Sequence, residues 1–278
     1  MTTLSKRAYA KINLGLEIVN KREDGFHNIN TVFTRIPLYD TITLQSSDGL
    51  TVNCNPSLDI PQEKNLAYIA AEKYFELNQL DPAVEISITK KIPNGAGLGG
   101  GSSNAATVLL ALDELFQRYT TYDVLFEIAA QIGSDVPFFL REGTAKASGR
   151  GEILEYFDYE IPFHILIVDP QIHISTKWAY EQLNASSAIL PEIDFKSVLL
   201  DSLYYPHMLK KSLFNEFENV VFRSYPDLLG LKEQFYEYGA IYTQMSGSGS
   251  SFFAFFEKPE HLRLAMNRLH EMKCIQCS

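Results

Sequence analysis

Pro93-Asn94-Gly95-Ala96-Gly97-Leu98-Gly99-Gly100-Gly101-Ser102-Ser103-Asn104 decides the reading of this chain, with five glycines between positions 95 and 101. A backbone without Cβ atoms reaches positive φ angles and can turn consecutive N–H groups toward one anion, a nest that needs no lysine. Before it, Val84 to Ile92 (VEISITKKI) alternates like a strand. After it, Ala105, Val108, Leu109, Leu112, Leu115 and Phe116 fall at helical spacing. The stretch therefore reads as strand, glycine loop and helix. The helix start offers unpaired N–H groups and the positive end of the helix dipole, with Ser102 or Ser103 expected to cap it, so a phosphate is favoured there.

The same order also describes a dinucleotide-binding fingerprint, and Gly95 to Gly100 contains a string of that type. That fingerprint wants a second strand after the helix, ending in an acid for a ribose. Here Leu125, Ile128, Ala129 and Ile132 continue as a second helix directly after Thr120-Thr121. No Lys-Ser or Lys-Thr follows the last glycine, which removes the P-loop pattern. A flexible linker does not sit between a strand and a strongly apolar helix.

The chain has 278 residues, 46% of them hydrophobic, enough for two domains with substantial cores. Its 24 basic and 34 acidic residues leave −10, and no basic run stands out, so neither nucleic acid nor an anionic membrane surface is an expected partner. No apolar run approaches the ~20 residues of a membrane span, and Met1 to Arg7 lacks the apolar region of a signal peptide. A cytoplasmic protein is expected. Cys54, Cys274 and Cys277 make an odd count without framework spacing, which suits a reducing compartment. His270, Cys274 and Cys277 could offer three metal ligands, but no second pair accompanies them, and no metal-binding residue is expected.

In the first strand Ala8, Ala10, Ile12, Leu14, Leu16 and Ile18 share one face, while Lys11 and Asn13 point together from the other. Strands are expected at Thr31–Arg35, Asp40–Gln45 and Leu50–Asn53, and Asn65 can cap a helix carrying Leu66, Ile69, Ala70, Tyr74 and Leu77. Gly133-Ser134-Asp135-Val136-Pro137 is a break, and a strand region follows from Gly143 to Leu154 with a turn at Gly149–Gly151. Phe163–Asp169 opens a second half. Two or three helices between Thr176 and Tyr238, strands at Tyr242–Met245 and Ser251–Phe256, a helix over Pro259–Met272 and a short last strand suit a ferredoxin-like α+β layer.

Together, Ala10-Lys11-Ile12-Asn13-Leu14, the loop Pro93 to Asn104, Gly133 to Pro137, and Met245-Ser246-Gly247-Ser248-Gly249-Ser250-Ser251 resemble the successive motifs of the GHMP small-molecule kinases, over about residues 8 to 256. Within that family, Arg22-Glu23-Asp24-Gly25-Phe26-His27 and Asn215-Glu216-Phe217-Glu218 resemble members whose substrate is a cytidine diphosphate-linked methylerythritol of the non-mevalonate isoprenoid route. The resemblance implies an α+β, two-domain fold. Residues 1–158 would form a ribosomal-S5-like ATP-binding domain with a left-handed crossover, and residues 159–278 a ferredoxin-like domain. It also implies transfer of a phosphoryl group from ATP to a substrate hydroxyl.

By the same resemblance, Asp135 is the catalytic aspartate and Lys11 its partner, a lysine favouring the ionised carboxylate. Taken alone, Asp135 reads more readily as a cap before Val136-Pro137 and Lys11 as a solvated strand residue; the glycine loop beside them turns the reading to the catalytic pair. Asn13, Phe26, His27, Thr176 and Tyr180 form the implied substrate set. Phe26 and Tyr180 would sandwich a cytosine while His27 hydrogen-bonds its edge. Relatives commonly carry Tyr where Phe26 stands, and Ala or Pro where Ser250 stands. ATP falls to Asn65 and Lys90 near the adenosine, and to Pro93, Asn94, Gly95, Ala96, Gly97, Leu98, Gly99, Gly100, Gly101, Ser102 and Ser103 around the phosphates. Gly247-Ser248-Gly249 would close the site. Magnesium is expected with ATP, but no carboxylate pair is an obvious ligand. A dinucleotide-dependent oxidoreductase, a non-catalytic nucleotide sensor and another small-alcohol kinase are the competing readings; retention of Lys11 and Asp135 argues against the sensor.

Overall fold

The computed structural model describes residues 3–183 and 193–277. Their contacts divide into two compact units. The first takes the chain up to Ala10, Pro37–Asn94 and Gly99–Glu142; the second takes Lys11–Ile36, Gly95–Leu98 and the chain from Gly143 onward. Two long strands, β1 (Thr3–Lys21) and β2 (His27–Ser46), contribute residues to both. Among the described residues no helix is long and apolar enough to cross a membrane.

In the first unit β3 (Thr51–Asn55) runs parallel to β4 (Val84–Thr89), the two joined through α1 (Leu66–Asn78). The other edge of β4 pairs antiparallel with Thr41–Ser46 of β2. The glycine loop then leads into α2 (Gly100–Phe116), followed by α3 (Tyr122–Ile132) and a 3₁₀ turn at Pro137–Leu140. Small residues bring α1 close to α2: Ala67, Ala70 and Ala71 on one, Ala105, Ala106 and Ala111 on the other, are buried. Phe75 meets Phe116 edge-on at 5.4 Å beside them. Asn65 caps α1 as expected, its side-chain oxygen accepting from Ala67 N at 3.0 Å.

In the second unit β5 (Thr144–Ser148) and β6 (Ile153–Phe157) form a hairpin, and Thr31–Thr34 of β2 pairs antiparallel with β5. The chain continues through β7 (His164–Asp169), α4 (Thr176–Gln182), α5 (Phe195–Ser202), α6 (His207–Ser212), α7 (Glu216–Ser224) and α8 (Pro226–Glu237). It closes with β8 (Tyr242–Met245), β9 (Phe252–Phe256), α9 (Pro259–Arg268) and β10 (Lys273–Cys277). The strands stand in the order β10-β7-β9-β8, every neighbour antiparallel. That order is the ferredoxin-like arrangement expected from the sequence. Phe252-Phe253-Ala254-Phe255-Phe256 is buried throughout, and Leu166, Val168, Phe217, Leu231 and Phe235 share its core.

Three expectations change. Thr31–Arg35 and Asp40–Gln45 belong to one strand: Pro37 falls between the stretch paired with β5 and the stretch paired with β4, where its missing N–H breaks neither ladder. Among the described residues, five short helices lie where two or three were expected between Thr176 and Tyr238, with Pro206 and Pro226 punctuating them. Residues 184–192 of that tract lie outside the described ones. Finally, neither Ser102 nor Ser103 caps α2. Gly99, at φ +68°, holds the cap position and accepts from Ser103 N at 2.8 Å, so both serines lie inside the first turn.

Candidate active site

The glycine loop divides between the two units. Its first part, Gly95–Leu98, belongs with β1 and the second glycine turn. Leu98 O accepts from Lys11 N at 3.0 Å, and Gly97 O accepts from Ser246 Oγ at 2.9 Å. Gly97 holds φ +78°, and a Cβ there would stand 1.9 Å from the Ser246 carbonyl oxygen, so only glycine lets the two turns approach this closely. The exposed His173 ring lies beside Gly95, 3.5 Å from where a Cβ would be. The turn Ser246–Gly249 is tied by Gly249 N to Ser246 O at 3.1 Å, and Ser248 Oγ lies 2.9 Å from Thr176 Oγ1.

Beside that turn, alternation along β1 aims Lys11 and Asn13 away from the apolar face, yet both are buried, at 4% and 2% exposure. Lys11 Nζ donates to Asn13 Oδ1 at 2.7 Å and stands 4.8 Å from the centre of the Phe33 ring. Asn13 Nδ2 donates to Thr31 Oγ1 at 3.1 Å. The solvated alternative for Lys11 is thereby removed.

The first unit holds the remaining residues expected to meet the nucleotide. Lys90 forms a buried ion pair with Asp40 and donates to Asn104 Oδ1 at 3.1 Å. Asp40 also accepts from Lys91 N, Ile92 N and Asn104 Nδ2 at 2.7, 2.9 and 2.9 Å. This cluster lies under the start of α2: a Cβ on Gly100 would meet Ile92 Cγ2 at 2.9 Å and Lys90 Nζ at 3.3 Å. Asn65, besides capping α1, donates to Cys54 Sγ at 3.4 Å, and burial pushes that thiol's pKa up. Pro93 is buried and Asn94 exposed at the loop's start; Gly101 packs on Leu66. Asp135 follows α3 in a turn closed by Val136 N to Gly133 O at 3.1 Å. The cap position of the following 3₁₀ turn is Val136, with no side chain bonded to it, so Asp135 is not its cap.

Of the aromatic set, the structure brings His27 and Tyr180 together. The His27 and Tyr180 rings stack at 4.8 Å and 18°, and Tyr180 meets Phe217 edge-on at 4.9 Å. Phe26 is 54% exposed, with the Arg150 guanidinium 4.9 Å above its ring. Burial, and secondarily the Lys21 charge, hold the His27 pKa below its ordinary value.

Residues 65–143 match the GHMP kinases N terminal domain, and residues 206–273 the GHMP kinases C terminal domain. The chain is 43% identical over 261 residues to the 4-diphosphocytidyl-2-C-methyl-D-erythritol kinase of Chlorobium phaeobacteroides strain BS1, covering 93% of this chain and 91% of that one. This chain belongs to the 4-diphosphocytidyl-2-C-methyl-D-erythritol kinase family of GHMP kinases. A crystal structure titled 4-(cytidine 5'-diphospho)-2C-methyl-D-erythritol kinase agrees with a TM-score of 0.84 at 32% identity, over 99% of this chain and 98% of that one. Homoserine kinase from Cytophaga hutchinsonii shares the fold alone, at TM-score 0.77 and 18% identity over 100% and 95% of the two chains. The chain is an ATP-dependent small-molecule kinase.

Membership in the 4-diphosphocytidyl-2-C-methyl-D-erythritol kinase family gives context to residues that sequence reasoning quoted only as a motif or passed over. Asn215 donates to Met245 O and Gly247 O at 2.7 and 2.8 Å while its own oxygen caps α7 through Phe217 N. Glu218, in the first turn of α7, pairs with Lys232 and accepts from Met245 N at 2.8 Å; burial raises its pKa against the pull of Lys232. Gln244 donates to Asn13 O at 3.3 Å. The second glycine turn is thus fixed from α7 as well as from the first loop. Only the four-residue tract Asn215–Glu218 signalled this, since Gln244 sits in an otherwise apolar strand pattern.

Proposed function

We propose that this kinase transfers the γ-phosphoryl group of ATP to the 2-hydroxyl of 4-diphosphocytidyl-2-C-methyl-D-erythritol, as a step of non-mevalonate isoprenoid precursor synthesis. The observation that carries the reading is a lysine and an asparagine buried on β1, hydrogen-bonded to one another, on a strand whose backbone ties into the glycine loop. A buried lysine suits a reaction whose transferred group carries negative oxygens.

In this reading Asp135 orients the acceptor hydroxyl and takes its proton, and Lys11 stabilises the charge that develops on the transferred group. Asn13 holds the sugar-alcohol end of the substrate. Thr176, beside Ser248 of the second turn, faces the diphosphate end, and His27, Tyr180 and Phe26 recognise the base. Gly95 to Ser103 supply backbone N–H groups to the phosphates, with the start of α2 behind them. Asn65 and Lys90 shape the adenosine side by position, since their polar side-chain atoms bond to α1, Cys54, Asp40 and Asn104. Magnesium enters with the nucleotide as its counter-ion. Among the described residues no three His, Cys, Asp or Glu side chains group to hold a metal, and we assign it no protein ligand. A division at 158/159 belongs to this reading, supported by the two family matches that fall on either side of it.

The test is a coupled assay with ATP and a panel of alcohols, with and without a cytidine diphosphate group. Turnover confined to the cytidine diphosphate-linked methylerythritol is the expected result. Comparable turnover of homoserine or mevalonate, with none of the cytidine compound, would sink it.

A further inference from the structure

We infer that Thr31 is a positioning residue for phosphoryl transfer: its hydroxyl proton fixes which end of the Asn13 amide faces Lys11. The inference rests on the reading that Lys11 acts at the reacting oxygens.

An asparagine amide fits the same space in two orientations, with oxygen and nitrogen exchanged, and only its partners decide between them. Thr31 Oγ1 lies between Asn13 Nδ2, at 3.1 Å, and Gly15 O, at 2.5 Å. A backbone carbonyl can only accept, so the single hydroxyl proton of Thr31 goes to Gly15. The same oxygen can then only accept from Asn13. The amide's NH₂ end must face Thr31, and Oδ1 must face Lys11 Nζ, where the two are 2.7 Å apart. Exchanging the ends would set NH₂ against the ammonium, two donors face to face, and carbonyl oxygen against hydroxyl oxygen.

Burial makes the arrangement exacting. Thr31 is fully buried, and Asn13 and Lys11 nearly so, which removes solvent as an alternative partner. The final acceptor is itself fixed. Gly15 holds φ +79°, and the Phe195 ring fills the space where a side chain would stand, its Cδ1 2.7 Å from an ideal Cβ. Donation therefore runs one way, from Lys11 to Asn13, to Thr31, to the Gly15 carbonyl. It leaves Lys11 aimed by an acceptor whose orientation cannot reverse without moving β1.

Thr31→Val keeps the shape and removes the hydroxyl, whereas Thr31→Ser keeps the hydroxyl. Thr31→Val is expected to lower kcat by roughly 10- to 100-fold, since displacing a catalytic group by about 1 Å already costs about 10²-fold, with KM for ATP unchanged. Thr31→Ser is expected to restore most of the rate. If Thr31→Val does not fold, Thr31→Ala at the same site carries the test. Thr31→Val added to Asn13→Ala should cost little more than Asn13→Ala alone, because both changes act through one amide. Parent-like kcat in folded Thr31→Val, while Asn13→Ala and Lys11→Met are impaired, overturns the inference and leaves the functional reading standing. Full additivity of the two changes overturns it as well. Parent-like activity in Asn13→Ala and Lys11→Met removes the reading, and the inference with it.

Discussion

Two lysines in this molecule are buried in nearly the same degree and put to different use. The Lys11 residue is 4% exposed and the Lys90 side chain 6%, and each donates to the side-chain oxygen of an asparagine. Lys90 also pairs with Asp40, a fully buried carboxylate that accepts two backbone N–H groups and the Asn104 amide. That carboxylate spends its oxygens on holding the end of β4 to the start of α2, and the lysine keeps it neutralised. Lys11 donates to the Asn13 amide and stands over the face of Phe33. In the proposed reading Lys90 belongs with the scaffold and Lys11 with the chemistry.

The largest effect should come from the chemistry side. Asp135→Asn and Lys11→Met are each expected to lower kcat by roughly 10²- to 10⁴-fold, the range for losing a positioned acid–base group, while ATP affinity and the melting temperature stay close to the parent. Steady-state kinetics beside thermal melts checks both. Near-parent turnover in either folded variant takes that residue out of the mechanism.

Lys90→Met should do the reverse. Removing one partner of a buried pair leaves Asp40 charged and uncompensated, which typically costs about 3–5 kcal/mol of stability. Denaturant unfolding should show that loss, and the folded fraction should keep a parent-like kcat. Parent-like stability with a large rise in KM for ATP would break the comparison, making Lys90 a direct nucleotide ligand.

Sequence periodicity exposed the scaffold more readily than it exposed this division of labour. The glycine loop, the helices around it and the ferredoxin-like strand order were legible because each is a local pattern: alternation in β1, helical spacing after Ala105, the run Phe252–Phe256. What was illegible depends on partners distant in the chain. Lys90 pairs with Asp40, 50 residues away, and Asn13 is bonded to Thr31, 18 residues away. Ser102 and Ser103 looked like caps because their residue type favours that role, but the positive φ of Gly99 starts α2 earlier. The stacking of His27 on Tyr180 likewise joins residues far apart in the chain.

That stacking sets the third prediction. If the base lies against these rings, Phe26→Ala or Tyr180→Ala should remove roughly 1–3 kcal/mol of stacking, about a five- to 150-fold rise in KM for the cytidine substrate. ATP affinity should not move. Tyr180→Ala is expected to show the larger effect, because it also frees His27, whereas Phe26 is half exposed and covered by Arg150. Equal KM values in parent and both variants would place base recognition elsewhere.

His27 extends the comparison to a basic side chain whose surroundings disfavour its charge, and here the expected effect is smallest. Burial first, then the nearby Lys21, lower its pKa from the ordinary 6.5. The unfolded chain therefore takes up a proton at a pH where the folded chain still resists it. Stability assigned to His27 is intact above 6.5 and declines as pH falls from there toward the lowered value. Glu216 and Glu218 act with the opposite sign, their burial-raised pKa values giving stability that is lost as pH rises through them. Both are present in parent and variant alike and cancel in the difference. The stability gap between His27→Gln and the parent should therefore shift in the variant's favour as pH falls from about 7.5 to 5. Partial exposure of the ring keeps the difference small. Identical slopes would mean that the imidazole is as free to charge in the folded protein as in water. The stacked, neutral ring offered to the base would then lose its physical support.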